Sequence, residues 1–216
     1  MEKISPQAKI LFSQQLAEGI KELKLTISAD KQDVLLAYLE LLAKWNQSYN
    51  LSGIKDPALM LNLHLLDSLS ILPFTHGQSV LDVGTGAGLP GLPVAICEPG
   101  KKVSLLDSNG KKTRFLFQTC VQLGIKNVEV INDRAESYQS IEVFDIVLSR
   151  AYSTLAKVIE QTRHLLGEKS KLLAMKGQYP QAEINDLPDD FRLLAVHELK
   201  IPGEQGARHL LELSRV

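Results

Sequence analysis

The chain has 216 residues, 44% of them hydrophobic and 23% charged, with a formal net charge of −1. This length and balance allow one substantial core plus a small appendage and argue against a disordered chain. They also exclude a protein that coats nucleic acid by wholesale phosphate neutralisation, so any RNA contact must come from a local basic patch.

Residues 1–75 read as a helical extension and 76–216 as a ligand-binding domain. Ser5 before Pro6 is a cap and first-turn signature, with Ala8, Leu11, Leu16 and Ile20 as a ragged apolar face. After Asp30, the residues Val34, Leu35, Tyr38, Leu41, Leu42 and Trp45 recur at helical spacing, which makes Trp45 a core residue. Asn46 to Gly53 breaks that pattern. Asp56-Pro57 then opens a helix carrying Leu59, Met60, Leu63, Leu66, Leu69 and Ile71. Its His64 and Asp67 share a face; a partly exposed polar pair is expected, with pairing beside a ligand as the alternative. Residues 73–79 connect to the second unit.

No apolar run is expected to span a bilayer, and the first residues lack a secretory h-region, so a cytoplasmic protein is expected. Cys97 and Cys120 lie far apart in apolar helical contexts and read as reduced core residues, not as a disulfide or metal site. No metal is expected.

From Val80 the chain alternates strand and helix. Val80-Leu-Asp-Val-Gly-Thr-Gly-Ala-Gly-Leu-Pro-Gly91 is a strand, a glycine turn and a helix start. Gly84, Gly86 and Gly88 allow positive φ and let a ligand approach the main chain. The second strand, Lys102 to Leu106, ends at Asp107, where an open α/β sheet places a ribose-binding carboxylate. A helix from Asn109 to Leu123 with Gly124 as its C-cap follows, then strands at 127–131, 144–148 and 171–175, with a helix at 155–166 between the last two. This alternation predicts a doubly wound parallel sheet. Phe191 to Ile201 and Arg208 to Ser214 have no room for a crossover helix between them and form a C-terminal antiparallel hairpin.

Glycine turn plus ribose acid fits either a nicotinamide dinucleotide or S-adenosyl-L-methionine. Asp82, two residues before the turn, favours the latter: it could hold the turn's amides or meet a cationic methionine end, whereas it would repel a pyrophosphate. The hairpin favours the same ligand. Asn132 to Glu136, after the third strand, would lie at the adenine, and Arg150 at the end of the fourth needs an acceptor such as a carboxylate, phosphate or base edge. Lys101, Lys102, Lys111, Lys112, Arg114, Lys176, Arg208 and His209 are candidates for a basic rim beside the crevice.

Several segments resemble the bacterial 16S ribosomal RNA guanine-N7 methyltransferases, the glucose-inhibited division protein B family. They are Lys44-Trp-Asn-Gln-Ser-Tyr-Asn-Leu51, His64-Leu-Leu-Asp-Ser68, Leu81 to Pro93, Leu105 to Lys112, Ser149-Arg-Ala151, Leu173 to Gln178 and Arg208-His209. The pattern departs at Tyr152, where the family has Phe, and at Ala207, where an acid precedes Arg-His; the second change weakens a local ion pair in the hairpin. The resemblance implies a Rossmann-like class I methyltransferase sheet that binds S-adenosyl-L-methionine through Gly84, Leu89, Ala135, Glu136 and Arg150, with Asp107 at the ribose. Gly86 joins this set from the turn itself. The implied acceptor is N7 of guanine 527 in 16S rRNA of the small ribosomal subunit, and a monomer is expected. Guanine N7 carries a lone pair and no proton, so no catalytic base is expected; Arg150 or Lys176 could position the base through O6. A small-molecule or protein acceptor is the alternative on the same fold and cofactor.

Overall fold

The computed structural model describes residues 6–216; the Ser5 cap and the Ala8 side chain lie outside what is described. Helix α1 spans Pro6–Glu22 and α2 spans Ala29–Tyr49. The predicted stripe of α2 is buried through Leu35, Tyr38, Leu41 and Leu42. Trp45 is half-buried against Phe115, with ring centroids 5.5 Å apart. The helix runs past the break expected at Asn46 and stops at Asn50, which takes a left-handed conformation with φ 49°. Asn46 stays within the helix, and its buried side chain ties down the loop that follows: Nδ2 donates to the Ile54 carbonyl (2.8 Å) and Oδ1 accepts from the Ser52 amide (2.7 Å).

Asp56 caps α3 (Pro57–Met60) by accepting from the Ala58 amide, as its sequence predicts. The helix continues through a π-helical turn, Leu61–Leu66, into α4 (Asp67–Leu69). The segment Pro57–Phe74 has a mean hydropathy of 1.3, long and apolar enough by composition to cross a membrane, which corrects the expectation that no run is. Its apolar residues have a different use. Met60, Leu61, Leu65, Leu66 and Leu69 are buried in the core shared with the sheet.

The sheet contains β1 (Ser79–Val83), β2 (Lys102–Leu106), β3 (Val128–Ile131), β4 (Phe144–Arg150), β5 (Leu166–Lys176), β6 (Phe191–Glu198) and β7 (His209–Arg215), in the order β3-β2-β1-β4-β5-β7-β6. The first five are parallel, and β7 runs antiparallel to both β5 and β6. The period-2 pleat sorts side chains into two layers. Val80, Ile146, Leu148, Leu173 and Leu210 pack with α1, α2, α5 (Gly91–Cys97) and α6 (Gly110–Leu123); Leu81, Val147, Leu172 and Leu211 pack with α7 (Leu155–Thr162). The N-terminal helices therefore share one core with the sheet.

Asn109 caps α6 and Gly124 ends it at φ 67°. Strand β5 begins at Leu166, five residues before the expected start at Lys171, and α7 ends at Thr162 before a 3₁₀ turn, Arg163–Leu165. Ser170 explains the longer strand. Its Oγ accepts from the Gly167 amide (2.8 Å) and donates to the Phe144 carbonyl (2.5 Å), which ties the start of β5 to β4. A short α8, Gln181–Asn185, has no sequence forecast. Cys97 and Cys120 are buried free thiols, and burial pushes them up to about 12 and about 11, so they remain protonated core residues.

Candidate cofactor cleft

The carboxyl ends of β1, β2, β3 and β4 open onto a cleft of about 340 Å3, within the range of small-ligand sites. Gly84, Asp107, Ala135 and Glu136 line it, together with Lys112, Tyr152 and Gln161. Three other proposed contacts sit elsewhere. Gly86 and Leu89 lie beside the cleft within the glycine turn, and the Leu89 side chain is in the core, leaving only main-chain atoms to offer. Arg150 is turned toward the N-terminal helices.

Gly84 requires its lack of a side chain. Its φ is 64°, and a Cβ there would stand 2.1 Å from Cδ2 of the Tyr152 ring. Asp82 holds the turn from beneath: its fully buried Oδ2 accepts from Thr85 Oγ1 (2.6 Å) and from the Gly91 amide (2.8 Å). Of the two roles foreseen for Asp82, the structure contains the first. Burial, opposed by the Thr85 and Gly91 hydrogen bonds, pushes its carboxyl up to about 6. Tyr38, read from sequence only as a member of an apolar stripe, donates its hydroxyl to the Ala87 carbonyl (2.8 Å), so α2 also braces the turn.

Asp107, the carboxylate expected at a ribose, lines the cleft with its two oxygens already oriented. Oδ2 accepts from the Gly86 amide (2.9 Å) and lies 3.6 Å from Lys112 Nζ; Oδ1 accepts from the Asn109 amide (2.8 Å). Asn132 fixes the neighbouring strand ends by donating to the Asp107 carbonyl (3.0 Å). Opposite, Tyr152 donates to Gln161 Oε1 (2.9 Å), and Gln161 Nε2 donates to Glu136 Oε2 (3.1 Å).

Arg150 has the carboxylate acceptor that its position demands. Nη1 donates to Asp67 Oδ2 (2.8 Å) and to the Leu63 carbonyl (3.1 Å). The other Asp67 oxygen takes Arg208 Nε at 3.3 Å. Arg208 thus finds its partner in the N-terminal helix, and not in the ion pair within the hairpin that the Ala207 departure called to mind. Asp67 and His64 are both buried and do not pair, against expectation: His64 Nε2 contacts Ser52 Oγ (2.7 Å) and Nδ1 contacts the Leu63 carbonyl (3.0 Å). The π turn carries these residues inward, a displacement that a 3.6-residue spacing cannot anticipate. Lys176 is likewise engaged, with Glu183 (2.8 Å) and the Ser153 carbonyl (2.9 Å). Lys101 and Lys102 leave the expected basic rim, because they stand at the amino end of β2, opposite the cleft. There Lys101 pairs with Glu98 (3.2 Å) and the Thr75 carbonyl.

Burial, reinforced by the nearby Arg150 charge, pushes His64 down to about 4. Between about pH 4 and 6.5 the unfolded chain then binds more protons at this residue than the folded one, so its contribution to stability is complete above pH 6.5 and declines toward pH 4. Asp82 has the opposite sign below pH 6, because its folded pKa is raised. A comparison with His64→Gln isolates the histidine. The stability of the native protein relative to that variant, from urea unfolding, should shrink steadily as pH falls from 7 to 4; a constant difference would contradict burial of a neutral imidazole.

The family profile described as rRNA small subunit methyltransferase G matches residues 31–211. The chain is 52% identical over 202 residues to "Ribosomal RNA small subunit methyltransferase G" of Pseudomonas aeruginosa (strain LESB58), covering 93% of this chain and 94% of the relative. It is 50% identical over 212 residues to the protein of the same name from Pseudomonas syringae pv. syringae (strain B728a), covering 98% and 97%. Among solved structures, a SAM-dependent methyltransferase from Aquifex aeolicus superposes with a TM-score of 0.58 at 20% identity, covering 77% of this chain and 97% of that one. At that identity the likeness speaks for the fold alone: a seven-stranded sheet with an antiparallel C-terminal hairpin.

Proposed function

This chain belongs to the rRNA small subunit methyltransferase G family, and on that premise we propose that it transfers a methyl group from S-adenosyl-L-methionine to N7 of guanine 527 in 16S rRNA. The observation that carries the reading is the coincidence of the family match with the cleft. The matched residues, 31–211, include the glycine turn, Asp107 and the adenine-side loop. In this reading the helices within residues 6–75 form an extension packed on a methyltransferase domain, 76–216, and the protein acts as a cytoplasmic monomer on the small ribosomal subunit.

The residues suit the cofactor. Gly84 leaves the main chain bare at the turn, and Asp107 offers carboxylate oxygens to two ribose hydroxyls. Asp107, Asp133 and Glu136 outnumber Lys112 and Arg134 around the cleft, and with Asp82 beneath the turn this balance favours a cationic nucleoside ligand over a pyrophosphate. Ala135 and Glu136 take the adenine end. Gly86 and Leu89 can add only main-chain contacts from the turn after β1, whereas Arg150, held by Asp67, braces the end of β4 beside the cleft and would have to leave that pair to touch the cofactor.

When bound, the cofactor supplies an electrophilic methyl on a sulfonium sulfur. Guanine N7 attacks with its lone pair and has no proton to lose, so the protein's contribution is orientation. Proximity and alignment of this kind can lower a barrier by roughly 7 to 11 kcal/mol in favourable cases. Arg150 and Lys176 hold the acceptor side of the site through the ion pairs that brace β4 and β5, and a guanine O6 is the atom either could meet without covering N7.

The test is transfer of radiolabel from S-adenosyl-L-methionine to small ribosomal subunits that lack their own N7-methylguanine, followed by mapping. Label at a single guanine N7 is the expected result. Label on free protein or a small molecule, with none in the subunit, would overturn the acceptor.

A further inference from the structure

We propose that Gln161 is a positioning residue for the adenosine end of the cleft, where it bridges Tyr152 and Glu136 into one wall. This rests on the S-adenosyl-L-methionine reading above and goes beyond it by bringing in a residue outside every recognisable motif. An ionised Glu136 can only accept, so Gln161 must direct Nε2 toward it (3.1 Å) and Oε1 toward Tyr152, whose hydroxyl must then donate (2.9 Å). All three side chains line the cleft, and they come from three separate segments: the loop after β3, the loop after β4, and α7.

Packing does not account for Gln161. The buried face of α7 consists of Leu155, Val158, Ile159 and Thr162, and Gln161 lies off it. What the bridge does control is the lean of the Tyr152 ring over the glycine turn, where the ring already fills the space of a Gly84 Cβ. It also restrains a Glu136 side chain that is otherwise 44% exposed and only loosely paired with Arg134, at 3.7 Å. Holding both before the ligand arrives removes part of the ordering cost of binding. The bridge depends on the Tyr152 hydroxyl, so Tyr152 and Gln161 act as a pair in this chain.

The variants are Gln161→Leu and Tyr152→Phe, singly and together. S-adenosylhomocysteine and adenosine serve as calorimetric probes, and methylation of small ribosomal subunits is the kinetic readout. Gln161→Leu should weaken both probes about fivefold to tenfold and raise KM for S-adenosyl-L-methionine by a similar factor, with kcat within about twofold and Tm unchanged. Tyr152→Phe should lose less, and the double variant no more than Gln161→Leu alone, because both changes break the same bridge. Probe affinities within about twofold of the native protein, or a fall in kcat accompanied by a lower Tm, would overturn the proposal. A native protein that binds neither probe would instead remove the cofactor reading on which it rests.

Discussion

Replacing Asp67 by Ala is expected to destabilise the protein by about 3 to 5 kcal/mol, because it strips the carboxylate from between two guanidinium groups that folding has largely withdrawn from water. Asp67 is 4% exposed. It holds Arg150 at 2.8 Å and Arg208 at 3.3 Å, and the arginine side chains retain only 18% and 28% of their exposure. The replacement leaves both cations facing each other without a counter-charge, in a setting where each still costs desolvation. Typical domains have 5 to 15 kcal/mol in total, so the loss is a large fraction. Urea unfolding at neutral pH measures it. Arg208→Ala should cost much less, since the Asp67–Arg150 pair survives and Arg208 is the more exposed partner. A shift below about 1 kcal/mol for Asp67→Ala would mean that solvent reaches the two arginines freely. This triad joins the helix at residue 67 to the ends of β4 and β7, so its loss also loosens the acceptor side of the cleft.

Asp107→Ala should weaken S-adenosylhomocysteine about 10-fold to 100-fold. Hydrogen bonds to a charged acceptor contribute about 1.5 to 3 kcal/mol, and 1.4 kcal/mol corresponds to tenfold in affinity. The carboxylate would meet the ribose from one side while Oδ2 continues to fix the Gly86 amide and Oδ1 the Asn109 amide. Removing it therefore deletes the proposed ribose acceptor and relaxes the turn together. Asp107→Asn keeps one acceptor oxygen and should fall between the two. Calorimetric titration checks the series, and an Asp107→Ala protein with native affinity would take the residue out of the site.

The strand–turn–strand frame was legible in the sequence because it rests on local rules. Short, mostly apolar runs mark β1 and β2, glycines mark the turn between β1 and α5, and the absence of a helix-length segment between β6 and β7 leaves a hairpin as the simple connection. Four of the seven proposed cofactor contacts, Gly84, Asp107, Ala135 and Glu136, line the cleft. They were readable because a parallel sheet gathers its carboxyl ends at one edge whatever the helices do. The same rule applied to Lys101 and Lys102 would have placed them at the opposite edge, since both precede the body of β2.

Other features depended on what the chain meets after folding. Spacing along the helix of residues 57–69 suggested that His64 and Asp67 would face each other, and the π turn changed which partners they reach. Arg150 was known to need an acceptor, but only packing could choose Asp67, 83 residues away in sequence. Gln161 carried no motif at all; the overlap of α7 with two loops put it between Tyr152 and Glu136.

The sequence by itself determined the sheet's element pattern, the glycine turn, the carboxylate at the end of β2 and the family resemblance, because each is written in residues close together along the chain. The tertiary structure alone decided the partners of Arg150, His64, Tyr38 and Gln161. A buried polar group must be satisfied by whatever donor or acceptor packing brings within reach, and that choice is made across the chain rather than along it.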